Sequence, residues 1–115
     1  MRDFEQPPFA IEIAEQAGRT ILNLSGELDI ATVGELEDAL TQRLEAGQDL
    51  VVDLRSLEFM DSSGVRALVA GHQEAQSGGG SLVIVRALRG TEVDRVIDVS
   101  GIATALGMVD EPPQG

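Results

Sequence analysis

The sequence contains no cysteine, no tryptophan, no tyrosine and no lysine. Without cysteine there are no disulfides, no thiolate metal ligands and no thiol redox switch. Three phenylalanines are the only aromatic residues except one histidine, which leaves no stacking platform for single-stranded nucleic acid. Apolar runs fall far short of the roughly 20 residues that a membrane-spanning helix needs. The start, Met1-Arg2-Asp3-Phe4-Glu5-Gln6-Pro7-Pro8, lacks the basic-then-apolar order of a signal peptide, so a cytoplasmic protein is expected. Positive charge is scarce as well. Eight arginines stand against twenty acidic residues, for a net charge of −12. That balance repels phosphate backbones and anionic lipid, which argues against direct nucleic-acid or bilayer-surface binding, as the short apolar runs argue against membrane insertion, and leaves a protein partner open. The use of arginine alone reads as codon bias, not as a binding device.

What remains is ordinary globular material. Of 115 residues, 43% are hydrophobic and 24% charged, enough for one self-sufficient core. Residues 1–8 read as a flexible leader, 9–110 as the domain and 111–115 as a flexible, proline-containing tail. Phe9, Ile11 and Ile13 alternate with Ala10, Glu12 and Ala14, the pattern of a half-buried strand. Gln16-Ala17-Gly18-Arg19 is a turn and Thr20–Ser25 a second strand, so the pair predicts an antiparallel hairpin. Thr32-Val33-Gly34-Glu35 has the form of a capping box. Val33, Leu36, Leu40 and Leu44 follow at helical spacing, and Gly47 closes that helix.

Leu50–Leu54 reads as a buried strand and Arg55–Asp61 as a loop. A helix then runs from near Ser62 to Gly78, with Val65, Leu68, Val69, His72 and Ala75 inward. Leu82–Val85 is a further strand, Glu92–Val99 a helix with Val93, Val96 and Ile97 inward, Gly101 its stop, and Ala105–Val109 a short edge strand. Strand–helix–strand units form right-handed crossovers with parallel strands. The expected fold class is α/β: a single domain with a mixed, mostly parallel sheet of four to five strands and helices packed mainly on one face.

Parallel sheets concentrate function beyond the carboxyl ends of their strands. Two loops leave such ends and enter helices here, Gly26–Thr32 and Phe59–Gly64. If their strands are neighbours, Asp29 lies near Ser62. The run Asp61-Ser62-Ser63-Gly64 admits two readings. It is an N-cap, in which an oxygen serves the free amides of the first helical turn. It is also a place where an added phosphate would sit at the positive end of a helix while recharging the surface outside, beside Asp29 and Asp61. That describes a switch acting on binding rather than on folding.

Other chemistries fit less well. Ser62 lacks the Gly-x-Ser-x-Gly setting of a hydrolase nucleophile, and His72, the only histidine, lies about three turns away along the same helix. Asp29 and Asp61 alone are too few for a metal site. Gly78-Gly79-Gly80-Ser81 precedes a strand and lacks Gly-Lys-Ser/Thr, so it is a turn and not a phosphate loop. Arg86 and Arg89, after the last long strand, read as solvated surface arginines that could meet an acidic partner.

The run Val51-Val52-Asp53-Leu54-Arg55-Ser56-Leu57-Glu58-Phe59-Met60-Asp61-Ser62-Ser63-Gly64-Val65 resembles the central signature of STAS domains, shared by sulphate transporters and bacterial anti-sigma factor antagonists. Leu24-Ser25-Gly26-Glu27-Leu28-Asp29 resembles the family's other hallmark, and Ser100-Gly101-Ile102 matches a turn. The resemblance covers residues 9–110 and is strongest to stand-alone antagonists. It implies a non-enzymatic, phosphorylatable binding module without cofactor or metal. Ser62 is the implied phosphorylation site, with Ser63 as second choice, and Asp29, Asp61, Ser62, Ser63 and Gly64 shape the partner-binding surface. The implied partners are an anti-sigma factor that is also a serine kinase and a PP2C-type phosphatase that resets the switch. Unphosphorylated antagonist holds the anti-sigma factor and frees the sigma factor for transcription. The short chain end after Asp110 departs from the family's last helix. The alternative within the same fold is a non-enzymatic subunit of a lipid-trafficking ABC transporter or a stress-signalling scaffold.

Overall fold

Two residues turn the chain back on itself at the start of the domain. Ala17 (φ 55°) and Gly18 (φ 81°) both take left-handed backbone, the combination that matches the twist of an antiparallel hairpin. They join β1 (Phe9–Gln16) to β2 (Arg19–Leu28), with Gln16 opposite Arg19 and Phe9 opposite Gly26. The computed structural model describes residues 9–114, so the expected leader 1–8 and the terminal Gly115 lie outside the described residues. The chain continues through α1 (Val33–Glu45), β3 (Asp49–Met60), α2 (Ser62–Ser77), β4 (Ser81–Val85), α3 (Glu92–Ser100) and the single turn α4 (Ile102–Ala105). The sheet has the order β1-β2-β3-β4; β2, β3 and β4 are parallel and β1 is antiparallel.

Side chains alternate across the sheet, and the two faces differ. Leu22, Leu24, Leu50, Val52 and Leu54 meet Leu36, Leu40 and Leu44 of α1, Leu68 of α2 and Val93 and Ile97 of α3 in one core. Ile21, Val51 and Val85 form a smaller cluster on the opposite face, and it contains no helix residue. The helices therefore cover one face. The four apolar positions expected of α1 are all buried, and Gly47 closes it with φ 76°.

Expectations for β3, α2, the edge strand and Arg86 need correction. Arg55–Met60 is strand, not loop. The register against β2 slips twice, between Asn23/Ser25 and Gly26/Glu27, and each slip inserts one extra residue into β3. Burial along β3 therefore falls at Leu54, Leu57 and Met60, with the exposed pairs Arg55-Ser56 and Glu58-Phe59 between them, a spacing that hides the two-residue alternation of a strand. Asp53 supports the first irregularity by accepting from the Arg55 amide (3.0 Å) and pairing with the Arg55 guanidinium (2.8 Å).

The buried stripe of α2 is Ser63, Gly64, Ala67, Leu68, Gly71 and Ala75. It turns small residues inward, while Val65, Val69 and His72 lie half-buried at its border. An added Cβ on Gly71 would lie 3.0 Å from Leu40, so α1 and α2 approach closely enough that small residues occupy the contact. The segment expected as an edge strand, Ala105–Val109, starts instead at the last residue of α4 and forms no strand. Only Val109 reaches the sheet, in an isolated parallel bridge to Val85, so the sheet has four strands among the described residues.

Arg86 is not a solvated arginine. It is 9% exposed and pairs with Asp94 (2.8 Å) and Asp98 (3.1 Å) of α3. Asp94 also accepts from the Gly90 amide (2.9 Å); that bond first, then the guanidinium, holds its carboxyl below the usual range. This network ties α3 to the end of β4. Arg89 is exposed and lies 3.7 Å from Asp110.

Candidate functional site

The extended β3 runs seven residues past its last pairing with β4, alongside β2. Its end, Met60, stands opposite Leu28, and the Asp61 amide donates to the Leu28 carbonyl (3.2 Å). The two strand-to-helix loops are thus held side by side by backbone, and Asp29 and Asp61 each follow a paired strand residue. The expected adjacency is present.

The first loop folds its polar groups inward. The Asp29 carboxylate accepts from the amides of Ala31 (3.0 Å) and Thr32 (3.2 Å). Thr32 is 7% exposed; its hydroxyl donates to the Glu27 carbonyl (2.9 Å) and accepts from the Asp29 amide (3.0 Å). Thr32 is the N-cap of α1 as expected, but the side-chain bonds of a capping box are not formed. Thr32 makes no side-chain cap bond to α1, because its hydroxyl is spent closing the loop, and the first helical amide, Val33, donates to the Asp29 carbonyl (2.8 Å). Asp29 stays half-buried, and its second oxygen, Oδ2, accepts no hydrogen bond among the described residues.

The second loop separates two neighbouring serines. Asp61 is the N-cap of α2 and accepts from the Ser63 amide (2.9 Å). The Ser63 hydroxyl donates to the same carboxylate oxygen and is 6% exposed. The Ser63 hydroxyl first, and then the amides of Ser63, Gly64 and Ile30, hold the Asp61 carboxyl below the usual carboxylate range against the opposing effect of burial. Ser62, one residue earlier, is exposed, and its hydroxyl makes no side-chain hydrogen bond among the described residues. Helical geometry turns adjacent residues about 100° apart, so one of the pair enters the core edge and the other leaves it.

Gly64 seats the helix. A Cβ there would lie 2.6 Å from Met60 Cγ and 2.9 Å from Leu28 Cδ2. Absence of a side chain lets α2 sit directly on the ends of both strands. The amides of Gly64 and Val65 already donate to the Asp61 carbonyl, at 3.1 and 3.3 Å. With the Ser63 amide taken by Asp61, few of the amides expected to greet a phosphate remain unpaired.

Around this point the surface is apolar. A groove of about 360 Å³ opens between α2 and α3, with Ser62 and Asp61 at one side and Val65, Val96 and Val99 as its walls. Val99 is 83% exposed and Ile30, in the neighbouring loop, 74%. Sequence reasoning missed the groove: Val96 was expected inward and is half-buried, and the outward Val99 carries no periodic signal of its own. No group of three or more histidine or acidic residues that could hold a metal occurs among the described residues.

The four-stranded α/β fold agrees with what comparison with known proteins finds. The sequence model described as "Mlab, STAS domain" matches residues 11–110. The chain belongs to the STAS domain family. Within it the chain is similar to the anti-sigma F factor antagonist of Paenibacillus polymyxa, 28% identical over 102 residues, covering 87% of this chain and 86% of that protein. It is also similar to the anti-sigma-B factor antagonist of Bacillus subtilis, 25% identical over 92 residues, covering 80% and 83%. Among solved structures, an anti-sigma factor antagonist from Mycobacterium paratuberculosis superposes with a TM-score of 0.80 at 25% identity, over 94% of this chain and 92% of that one. This is a family of binding proteins, not of enzymes. No helix among the described residues is long and apolar enough to cross a membrane.

Proposed function

We propose that the protein is a cytoplasmic anti-sigma factor antagonist whose affinity for a serine-kinase anti-sigma factor is switched by phosphorylation of Ser62. The observation that carries this reading is the contrast between the two serines: Ser62 is exposed at the start of α2, and Ser63 is buried and bonded to Asp61. A kinase can reach only the first without opening the helix. The Ser62 hydroxyl gives its proton to a base of the kinase and takes the terminal phosphoryl group of ATP, with ADP leaving. The product carries close to two negative charges where Asp29 and Asp61 already stand.

Docked against a partner that offers no cation of its own there, those charges lose water, a cost of several kcal/mol, and each 1.4 kcal/mol is tenfold in affinity. In the unmodified state, Asp29 and Asp61 with Ser62, Ser63 and Gly64 form the rim, and the exposed Ile30 and Val99 supply apolar contact area. A PP2C-type phosphatase restores that state, and binding of the anti-sigma factor leaves its sigma factor free for transcription.

Titration calorimetry of Ser62→Ala and Ser62→Glu against anti-sigma factor kinases of the same genome tests the switch. The alanine variant binds like unmodified protein and the glutamate variant binds at least tenfold more weakly. Equal affinity removes the switch and favours the other role served by this fold, a non-enzymatic subunit docked on a transporter ATPase.

A further inference from the structure

The phosphate that Ser62 receives needs partners, and the amides next to it are engaged. The Ser63 amide donates to Asp61 Oδ1, and those of Gly64 and Val65 donate to the Asp61 carbonyl. Side chains must supply the rest. Seven of the eight arginines fall among the described residues. Four of them are occupied: Arg43 by Gln48, Arg55 by Asp53, Arg86 by Asp94 and Asp98, and Arg89 by Asp110. Arg19, Arg66 and Arg95 make no side-chain hydrogen bond or ion pair among the described residues, although the chain carries twenty acidic residues.

Arg19 belongs to the hairpin turn at the opposite end of β2. The other two flank Ser62. Arg66 lies four residues along α2, the spacing at which helical side chains meet on one face. Arg95 lies on α3 and lines the same groove as Ser62. Both are exposed.

We propose that Arg66 and Arg95 form a two-arginine receptor for the phosphate of phosphorylated Ser62, closing it across the groove between α2 and α3. The inference rests on Ser62 being the phosphorylated residue. Guanidinium groups suit this role because their planar forks match phosphate oxygens two at a time. The arrangement gives phosphorylation a second effect beyond added charge. In unmodified protein the two cations are available to a partner; in phosphorylated protein they are consumed internally and the groove mouth is filled. A glutamate at 62 is shorter, planar and singly charged. It engages the pair less well, and Ser62→Glu therefore weakens partner binding less than phosphoserine does.

The test uses full-length protein with phosphoserine placed at 62 by genetic encoding, so that no kinase is needed. The second ionisation of the phosphate is followed by ³¹P NMR in the parent, in Arg66→Gln, in Arg95→Gln and in the double variant, with Arg19→Gln as control. Asp29 and Asp61 face the phosphate from the two loops, and Glu92 and Asp98 flank Arg95 on α3. All four are common to every variant, so only differences between variants are read. Each single substitution raises the proton affinity of the phosphate roughly threefold, the double variant more, and Arg19→Gln leaves it unchanged. Arg95→Lys falls between parent and Arg95→Gln.

An unchanged ionisation in the double variant overturns the receptor, as does an equal shift in Arg19→Gln. Calorimetry of the same phosphoserine protein against the anti-sigma factor separates the two ideas. If binding falls while the ionisation ignores both arginines, the switch stands and the receptor is wrong. If binding does not fall, the switch itself is wrong.

Discussion

The two loops that leave β2 and β3 are built from the same parts and end in different states. Each follows a strand end with an aspartate, places hydroxyl residues after it and enters a helix. In the first, Asp29 and Thr32 satisfy each other and the backbone, and the hydroxyl is buried. In the second, Asp61 takes Ser63 in the same way, but one further hydroxyl, Ser62, is left outside. The first loop is a closed structural turn; the second is the same device plus one group that does no structural work. A residue exposed at a rigid position, with nothing in the fold depending on it, can be chemically altered without unfolding its surroundings.

The largest expected effect separates the loops by function. Phosphate at Ser62 lowers affinity for the anti-sigma factor by about 100-fold or more, while a Thr32→Ser change in the first loop leaves affinity unaltered; calorimetry reads both. Next comes the seat of the second loop. Gly64→Ala forces a methyl against Met60 and Leu28 and costs about 1–3 kcal/mol in denaturant unfolding. Gly34→Ala, whose Cβ meets nothing within 4 Å, is neutral or slightly stabilising.

The serine pair sharpens the contrast further. Ser63→Ala loses a buried hydrogen bond to the Asp61 carboxylate, worth about 1.5 kcal/mol, yet remains a kinase substrate. Ser62→Ala changes stability by less than about 0.5 kcal/mol and is not a substrate. Urea melts and a phosphorylation assay on the two variants give opposite orders.

The smallest effect is with pH. Because the folded Asp61 carboxyl sits below its unfolded value, its ionised form stabilises the fold, fully so above the ordinary carboxylate range. That contribution is lost as pH falls from about 4 through the lower folded value. Asp61→Asn flattens this part of the acid limb of the stability curve, and thermal melts between pH 2 and 5 show it.

Much of this comparison is legible in the chain. Helical spacing exposes α1 through Val33, Leu36, Leu40 and Leu44, and Ala17-Gly18 marks the hairpin. The pairing of Asp29 with the Asp61 loop follows from adjacent parallel strands. The rest is hidden for identifiable reasons. The two extra residues in β3 break its alternation, so half of that strand looks like loop. Thr32 and Glu35 have capping-box spacing, but which oxygen caps α1 depends on the Glu27 carbonyl, a contact that helix spacing alone does not reveal. Arg86 looks like surface until α3 brings Asp94 and Asp98 to it. The groove needs α2 and α3 together, and neither helix announces it alone.

The most direct measurement is peptide mass spectrometry of wild-type protein after incubation with ATP and the anti-sigma factor kinases of its own genome, covering residues 56–66. The expected result is a single added phosphate, wholly on Ser62, with the protein still folded. Phosphate on Ser63, or on Ser56 with Ser62 untouched, contradicts it.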